Sequence, residues 1–236
     1  MLIFGIESSA VSAGAAIVKD GKLIAETYLN LGLTHSETLM TLIDTCLGNA
    51  GLRLCDINAF AVAQGPGSFT GVRIGISLLK GLVFGTDQPV YGISTLEALA
   101  YGGAFENRLI CPVMDARCSQ IYTAAFEYTA GRLIRITEDR ALKLEEYYCF
   151  VRAQEKEILL MGDGAALTEK YLREKDFVNY SVLPEIFLYQ HAAGVAFAAW
   201  MRYNNGEAGQ NGASLLPGYL RLPQAERDRI KGEKKQ

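Results

Sequence analysis

A chain of 236 residues, half of them apolar, is long enough to bury one large core or two small ones. Its formal net charge of -3 excludes a global positive field that would draw the whole molecule onto a nucleic-acid backbone, so any RNA contact needs a local patch or a partner. The five cysteines, Cys46, Cys55, Cys111, Cys118 and Cys149, form no C-x-x-C pair, which speaks against a disulfide framework or a zinc ribbon and for buried reduced thiols.

The first stretch, LIFGIES, reads as a strand. A small-residue turn leads into AGAAIV, and Asp20-Gly21 is a hairpin signal before KLIAETY, so a three-stranded meander is expected. No basic residue precedes Lys19, unlike the start of a signal peptide. Thr34 and Glu37 have the capping-box spacing, and Leu39, Leu42, Ile43, Cys46, Leu47 and Ala50 recur at helical period up to a stop at Gly51. INAFAVAQ reads as a buried strand, GPGSFTGVRIG (65–75) follows it, and a helix is expected to about Phe84. VYGIS and TLEALAYGG add a strand and a helix, and the alternation predicts an α/β layer architecture.

After Gly102-Gly103 the pattern begins again. LICPVMD matches LIFGIES, YTAAF matches GAAIV, and AGRLIRI matches DGKLIAE, at an offset of about 107 residues at the start and about 110 at the end, which indicates a duplicated unit. An acid, Glu7 or Asp115, closes the first strand of each copy. KEILLMGDGAA reads as strand, turn and helix start, with a third turn acid, Asp163. His191 is expected to open the apolar helix HAAGVAFAAWM, which is far shorter than the roughly 20 residues needed to span a bilayer. The closing residues are mostly charged and predict a solvated tail. The chain thus divides into lobes 1–103 and 104–216 and a closing segment 217–236, and is expected in the cytoplasm with no membrane contact.

GPGSFTGVRIG invites a phosphate-loop reading. A Walker loop needs G-x-x-x-x-G-K-[ST], yet Val72 follows Gly71, and the dinucleotide pattern fails because Thr70 stands where the third glycine belongs. Gly65-Pro66-Gly67 instead predicts a sharp turn with Ser68 or Thr70 as cap. Gly71 and Gly75, four residues apart, each cost about 1 kcal/mol relative to alanine, so close packing against another helix is the expected reason for them. Ser77 and Gly81 extend a small-residue face beside Ile74 and Leu78. The only histidines are His35 and His191, and one imidazole does not make a zinc site, so neither a metal nor a catalytic residue is assigned. No G-x-S-x-G elbow surrounds Ser68. Glu7, Asp115 and Asp163 occupy strand ends and turns, where carboxylates bind either a metal ion or backbone amides.

The duplicated meander with an acid after its first strand resembles the actin/sugar-kinase/Hsp70-like (ASKHA) fold. Closer strings, GIESS, THSETLMTLI, DINAFAVAQGPGSFTGVRIGISLLKGL, STLEALA, MDAR, GDGA and YLRLPQAER, resemble the bacterial TsaB family, also called YeaZ and grouped with the glycoprotease-like M22 proteins; the likeness covers nearly the whole chain. It implies two lobes, each with a mixed sheet and flanking helices, and vestigial nucleotide or metal positions at Glu7, Asp115 and Asp163. The glycines with which superfamily hairpins approach ATP phosphates are absent from Glu7-Ser8-Ser9-Ala10 and Asp115-Ala116-Arg117.

In function the resemblance implies a part in making threonylcarbamoyladenosine in tRNAs that read A-starting codons. In that pathway a separate enzyme makes threonylcarbamoyl-adenylate, and TsaD transfers the group to the adenosine beside the anticodon. TsaB is the non-catalytic scaffold that dimerises with TsaD, joins TsaE, meets tRNA through the complex and forms a homodimer alone. No cofactor is required of this subunit, with ATP or ADP expected at the complex interface. Of TsaD's H-x-x-x-H metal motif only His35 is present. The family interface, carried onto the two helices of the first lobe, comprises His35, Leu39, Leu42, Ile43, Cys46, Gly71, Val72, Ile74, Gly75 and Leu78. The M22 grouping implies a metal-dependent peptidase as an alternative, and the superfamily an ATP-dependent small-molecule kinase.

Overall fold

The computed structural model describes residues 1–32, 34–104 and 107–221. β1 (Leu2–Glu7), β2 (Ala13–Lys19) and β3 (Lys22–Leu29) form the expected antiparallel meander. The β2–β3 hairpin turns on Asp20 and Gly21, at φ 48° and 79°, the pair of left-handed residues that matches the twist of the flanking strands. α1 (His35–Ala50) then leads to β4 (Ala59–Gly65), α2 (Phe69–Leu82), β5 (Val90–Ser94) and α3 (Thr95–Gly102). β4 runs parallel to β1, and β5 to β4, giving the order β3-β2-β1-β4-β5. Helical crossovers supply the length that parallel neighbours require.

The second half repeats this plan. β6 (Arg108–Asp115) pairs antiparallel with both β7 (Gln120–Thr123) and β8 (Phe126–Thr129), which together replace β2. β9 (Arg132–Arg135) returns through Ala130-Gly131, again two left-handed residues. β10 (Arg140–Lys143) pairs with β7 and has no counterpart in the first half. α4 (Leu144–Val151), β11 (Glu157–Met161), α5 (Ala165–Glu174), β12 (Tyr180–Val182) and α6 (Ala192–Asn204) complete the copy, with β11 parallel to β6 and to β12. The repeat read in the sequence is therefore a repeat of topology.

α1 and α2 cover one face of the first sheet around Phe4, Ile43, Phe60 and Leu79. α6 covers the other, where Val195, Ala196 and Ala199 meet Ile3, Ala61 and Ile93. α3 sends Leu96, Leu99 and Ala100 into the core of the second lobe. We propose Gly102-Gly103 as the lobe boundary, with α6 belonging to the first lobe by its packing.

Two local expectations change. Thr34 is the N-cap of α1 by position but makes no side-chain capping bond. Cys46 and Cys111 are buried, whereas Cys55, Cys118 and Cys149 are exposed, and all five are unpaired. The expected charged tail lies outside the described residues from 222 onward. Among the described residues no helix is long and apolar enough to cross a membrane.

Candidate functional site

GPGSFTGVRIG sits where β4 hands over to α2, and its glycines serve the chain's own packing. The Ser68 amide donates to the Ser9 carbonyl at 2.6 Å, and Ser68 Oγ caps α2 by accepting from the Gly71 amide at 3.2 Å. A methyl group at Gly71 would strike the Ser8 carbonyl, and one at Gly75 would strike Ser8 Oγ. Ser8 Oγ donates to the Gly71 carbonyl at 2.9 Å, so the β1–β2 turn is seated directly on the helix. The close neighbour expected to be another helix is this turn.

The expected interface residues divide accordingly. Leu39, Leu42, Ile43, Cys46 and Val72 are buried in the core of the first lobe, and Gly71 and Gly75 lie beneath Ser8; none of the seven is on the surface of the single chain. Burial pushes the Cys46 thiol up to about 11. His35 donates from Nε2 to the Ala10 carbonyl at 2.7 Å, pinning α1 to the β1–β2 turn. Ile74 and Leu78 remain half-buried. Around them the outward sides of the helices carry Met40, Thr41, Asp44 and Ser77, all exposed, and Gly48 and Gly81, where an added methyl would meet nothing within 4 Å among the described residues. An amphipathic helix turns its apolar stripe to its own core, so the flank of the stripe is what a partner can reach.

A cleft of about 560 Å³ opens between the lobes, bounded by the β1–β2 turn, the Gly65-Pro66-Gly67 loop, the β6–β7 turn, Asp163 and the segment from Gly218 to Arg221. Glu7 is fully buried behind it. Its Oε1 accepts from the Ser9 amide and Ser9 Oγ, both at 2.6 Å, and its Oε2 has no partner among the described residues. Burial pushes this carboxyl up to about 7 against the pull of the Ser9 bonds, and the Asp163 carboxylate adds to the rise. Asp163 is itself raised by burial, opposed by Gln190 Nε2 donating at 3.0 Å, with Asp115 adding to the rise. Asp115 accepts from the Arg117 amide at 2.7 Å and pairs with Arg117 Nη1 at 3.1 Å.

The duplication thus reaches the hydrogen bonds: in each copy the strand-end acid accepts the amide two residues on. Both turn amides are engaged by carboxylates of their own strand. Among the described residues no three His, Cys, Asp or Glu side chains gather as a metal-binding group.

The closing segment had no such reading in the sequence, because its partners lie far away along the chain. Leu215 is buried in the first core, and the Gly218 amide donates to the Gln64 carbonyl at 2.7 Å. Tyr219 stacks on Phe69 at 4.8 Å and accepts from Arg73 Nε at 2.6 Å, while Arg221 Nη1 donates to Ala116 of the second lobe at 2.8 Å. The family string YLRLPQAER marked this stretch without indicating what it touches.

Comparison with known proteins agrees with this fold. The sequence family described as TsaD, tRNA N6-adenosine threonylcarbamoyltransferase, matches residues 31–226. The tRNA threonylcarbamoyladenosine biosynthesis protein TsaB of Bacillus subtilis (strain 168) is 30% identical over 238 residues, covering 99% of this chain and 100% of that protein. Among solved structures, YeaZ from Pseudomonas aeruginosa aligns over 93% of this chain and 99% of its own with a TM-score of 0.74 at 21% identity. The (R)-2-hydroxyglutaryl-CoA dehydratase component A of Acidaminococcus fermentans aligns over 86% and 99% with a TM-score of 0.50 at 13% identity, a likeness of fold alone.

Proposed function

The chain belongs to the TsaB/YeaZ family and has a role in tRNA threonylcarbamoyladenosine biosynthesis; from that premise we propose that it is a non-catalytic scaffold that pairs with TsaD through the outward sides of α1 and α2. The observation that carries this reading is the composition of those sides. Ile74 and Leu78 are half-buried beside exposed Ser77, and the bare backbone at Gly48 and Gly81 admits a partner helix at short interaxial distance. The engagement of the cleft's turn amides by Glu7 and Asp115 supports a subunit that binds rather than catalyses.

On this reading TsaD transfers the threonylcarbamoyl group to the adenosine beside the anticodon of tRNAs reading A-starting codons. TsaE joins the pair, tRNA meets it as a complex, and two copies of this chain pair over the same helices when TsaD is absent. The chain needs no metal or cofactor of its own, ATP or ADP belongs at the junction with TsaD, and the work is cytoplasmic.

Ser77→Arg tests the pairing, because Ser77 is exposed and its replacement leaves the core of the single chain untouched. A charge at Gly75 would instead collide with Ser8 and confuse misfolding with lost docking. We expect Ser77→Arg to keep the parental melting temperature and to weaken pairing with TsaD at least about tenfold, since an unpaired guanidinium would be desolvated at the contact. It should also elute as a monomer in size exclusion. A folded variant that co-purifies with TsaD and supports modification at the parental level would overturn the interface.

A further inference from the structure

The chain gathers aromatic and guanidinium groups at the mouth of the inter-lobe cleft, away from the buried acids. The Arg73 guanidinium lies 3.8 Å from the centre of the Phe69 ring, Phe69 stacks on Tyr219, and Arg73 closes the triad through the Tyr219 hydroxyl. Tyr219 is thereby held by both its ring and its hydroxyl, yet remains 41% exposed. Arg117 and Arg221 stand on the second-lobe side of the same cleft, Arg117 with 82% of its side chain exposed and Arg221 held by the Ala116 carbonyl. α2, a helix of 14 residues, begins at Phe69 with its Gly71 amide capped by Ser68 Oγ, and it places its positive dipole end at this wall. Of the two carboxylates lining the cleft, Asp115 is engaged by Arg117 and Asp163 by Gln190.

We propose that this mouth is a contact site for single-stranded RNA. A base stacks on the exposed part of the Tyr219 ring, and the adjoining phosphate lies between Arg117, Arg221 and the start of α2. An immobilised ring is a sequence-tolerant platform for a base, and guanidinium groups match phosphate oxygens through paired donors. The chain is acidic as a whole, so Arg73 on an aromatic pair with Arg117 and Arg221 lining the same cleft is a local signal. A mononucleotide held deeper in the cleft is less well served, because the Ser9 and Arg117 amides already bond to Glu7 and Asp115, while Arg117 and Tyr219 at the rim are exposed among the described residues. The inference rests on the scaffold reading for the arrival of the RNA with the partner.

The test uses the assembled complex of this chain with TsaD and TsaE and a tRNA anticodon stem-loop as probe, with assembly measured on the same samples by size exclusion. Tyr219→Ala is expected to weaken stem-loop binding at least about fivefold with the complex intact, and Tyr219→Phe, which keeps the ring, to retain it. Arg117→Gln should lower the slope of log affinity against log salt by about one. Because Arg117 is exposed and belongs to the β6–β7 turn, outside α1 and α2, this second variant decides the matter if Tyr219→Ala disturbs the fold. Parental affinity and slope in an intact Arg117→Gln complex would overturn the RNA site. So would ATP binding to the complex that Tyr219→Ala weakens as much as it weakens the stem-loop, which would assign the mouth to a mononucleotide. Failure of the scaffold reading shows separately, as Ser77→Arg pairing normally with TsaD.

Discussion

Glu7 shows how little of a residue's state is written in its position along the chain. A strand-end acid before a small-residue turn was plain in the sequence, and so was its twin Asp115. That one is fully buried and the other half-buried follows from what packs over each turn, which no local pattern encodes. The consequence is a pH dependence with a definite sign. Burial raises the Glu7 carboxyl from 4.5 to about 7 in the folded protein, so the stability it leaves intact below pH 4.5 is lost as the pH climbs through 7. Glu7→Gln removes that titration. We expect the stability of the variant relative to the parent to increase between pH 5 and pH 8 by about 2–3 kcal/mol, measured by urea unfolding at each pH. Equal differences at the two pH values would show that the carboxyl is not held in this state. Asp163, raised in the same direction, keeps some pH dependence in the variant.

At the scale of elements, period was legible and facing was not. The 3.6-residue recurrence of Leu39, Leu42, Ile43 and Cys46 located α1 and its stop at Gly51 correctly. The same stripe suggested a partner surface, whereas the first lobe keeps it for its own core. β10, α4 and β12 escaped notice for a different reason: stretches as short as RALK and YSV carry too few residues to establish a period, and LEEYYCFV mixes helix-forming and strand-favouring side chains. Helix α2 offers a sharper test of what its glycines do. Gly71→Ala is expected to destabilise the isolated chain by about 1–3 kcal/mol, because the Ser8 carbonyl must give way. Gly48→Ala, facing open space within α1, should stabilise it by up to about 1 kcal/mol. Thermal unfolding of both variants decides; losses of equal size would mean that the β1–β2 turn is not seated on α2.

Over the whole molecule, the duplication could be read from sequence because each copy keeps an acid-closed strand and a two-residue hairpin at matching intervals. The crossing of α6 could not. HAAGVAFAAWM is rich in small and apolar residues, which announces burial, but burial against which sheet is a long-range fact. A fragment of residues 1–103 is therefore expected to expose the face of Ile3, Ala61 and Ile93, to bind a hydrophobic dye and to aggregate, even though every strand of its sheet is present. A soluble fragment with cooperative unfolding would contradict this. The same crossing sets a schedule for birth on the ribosome. β5 ends at Ser94 and α6 starts at Ala192, so at about 5–20 residues per second the nascent first lobe waits roughly 5–20 s for its lid. Throughout that interval a finished sheet has one naked side, and the chain depends on speed, or on a holding chaperone, to reach its last helix before another chain finds it.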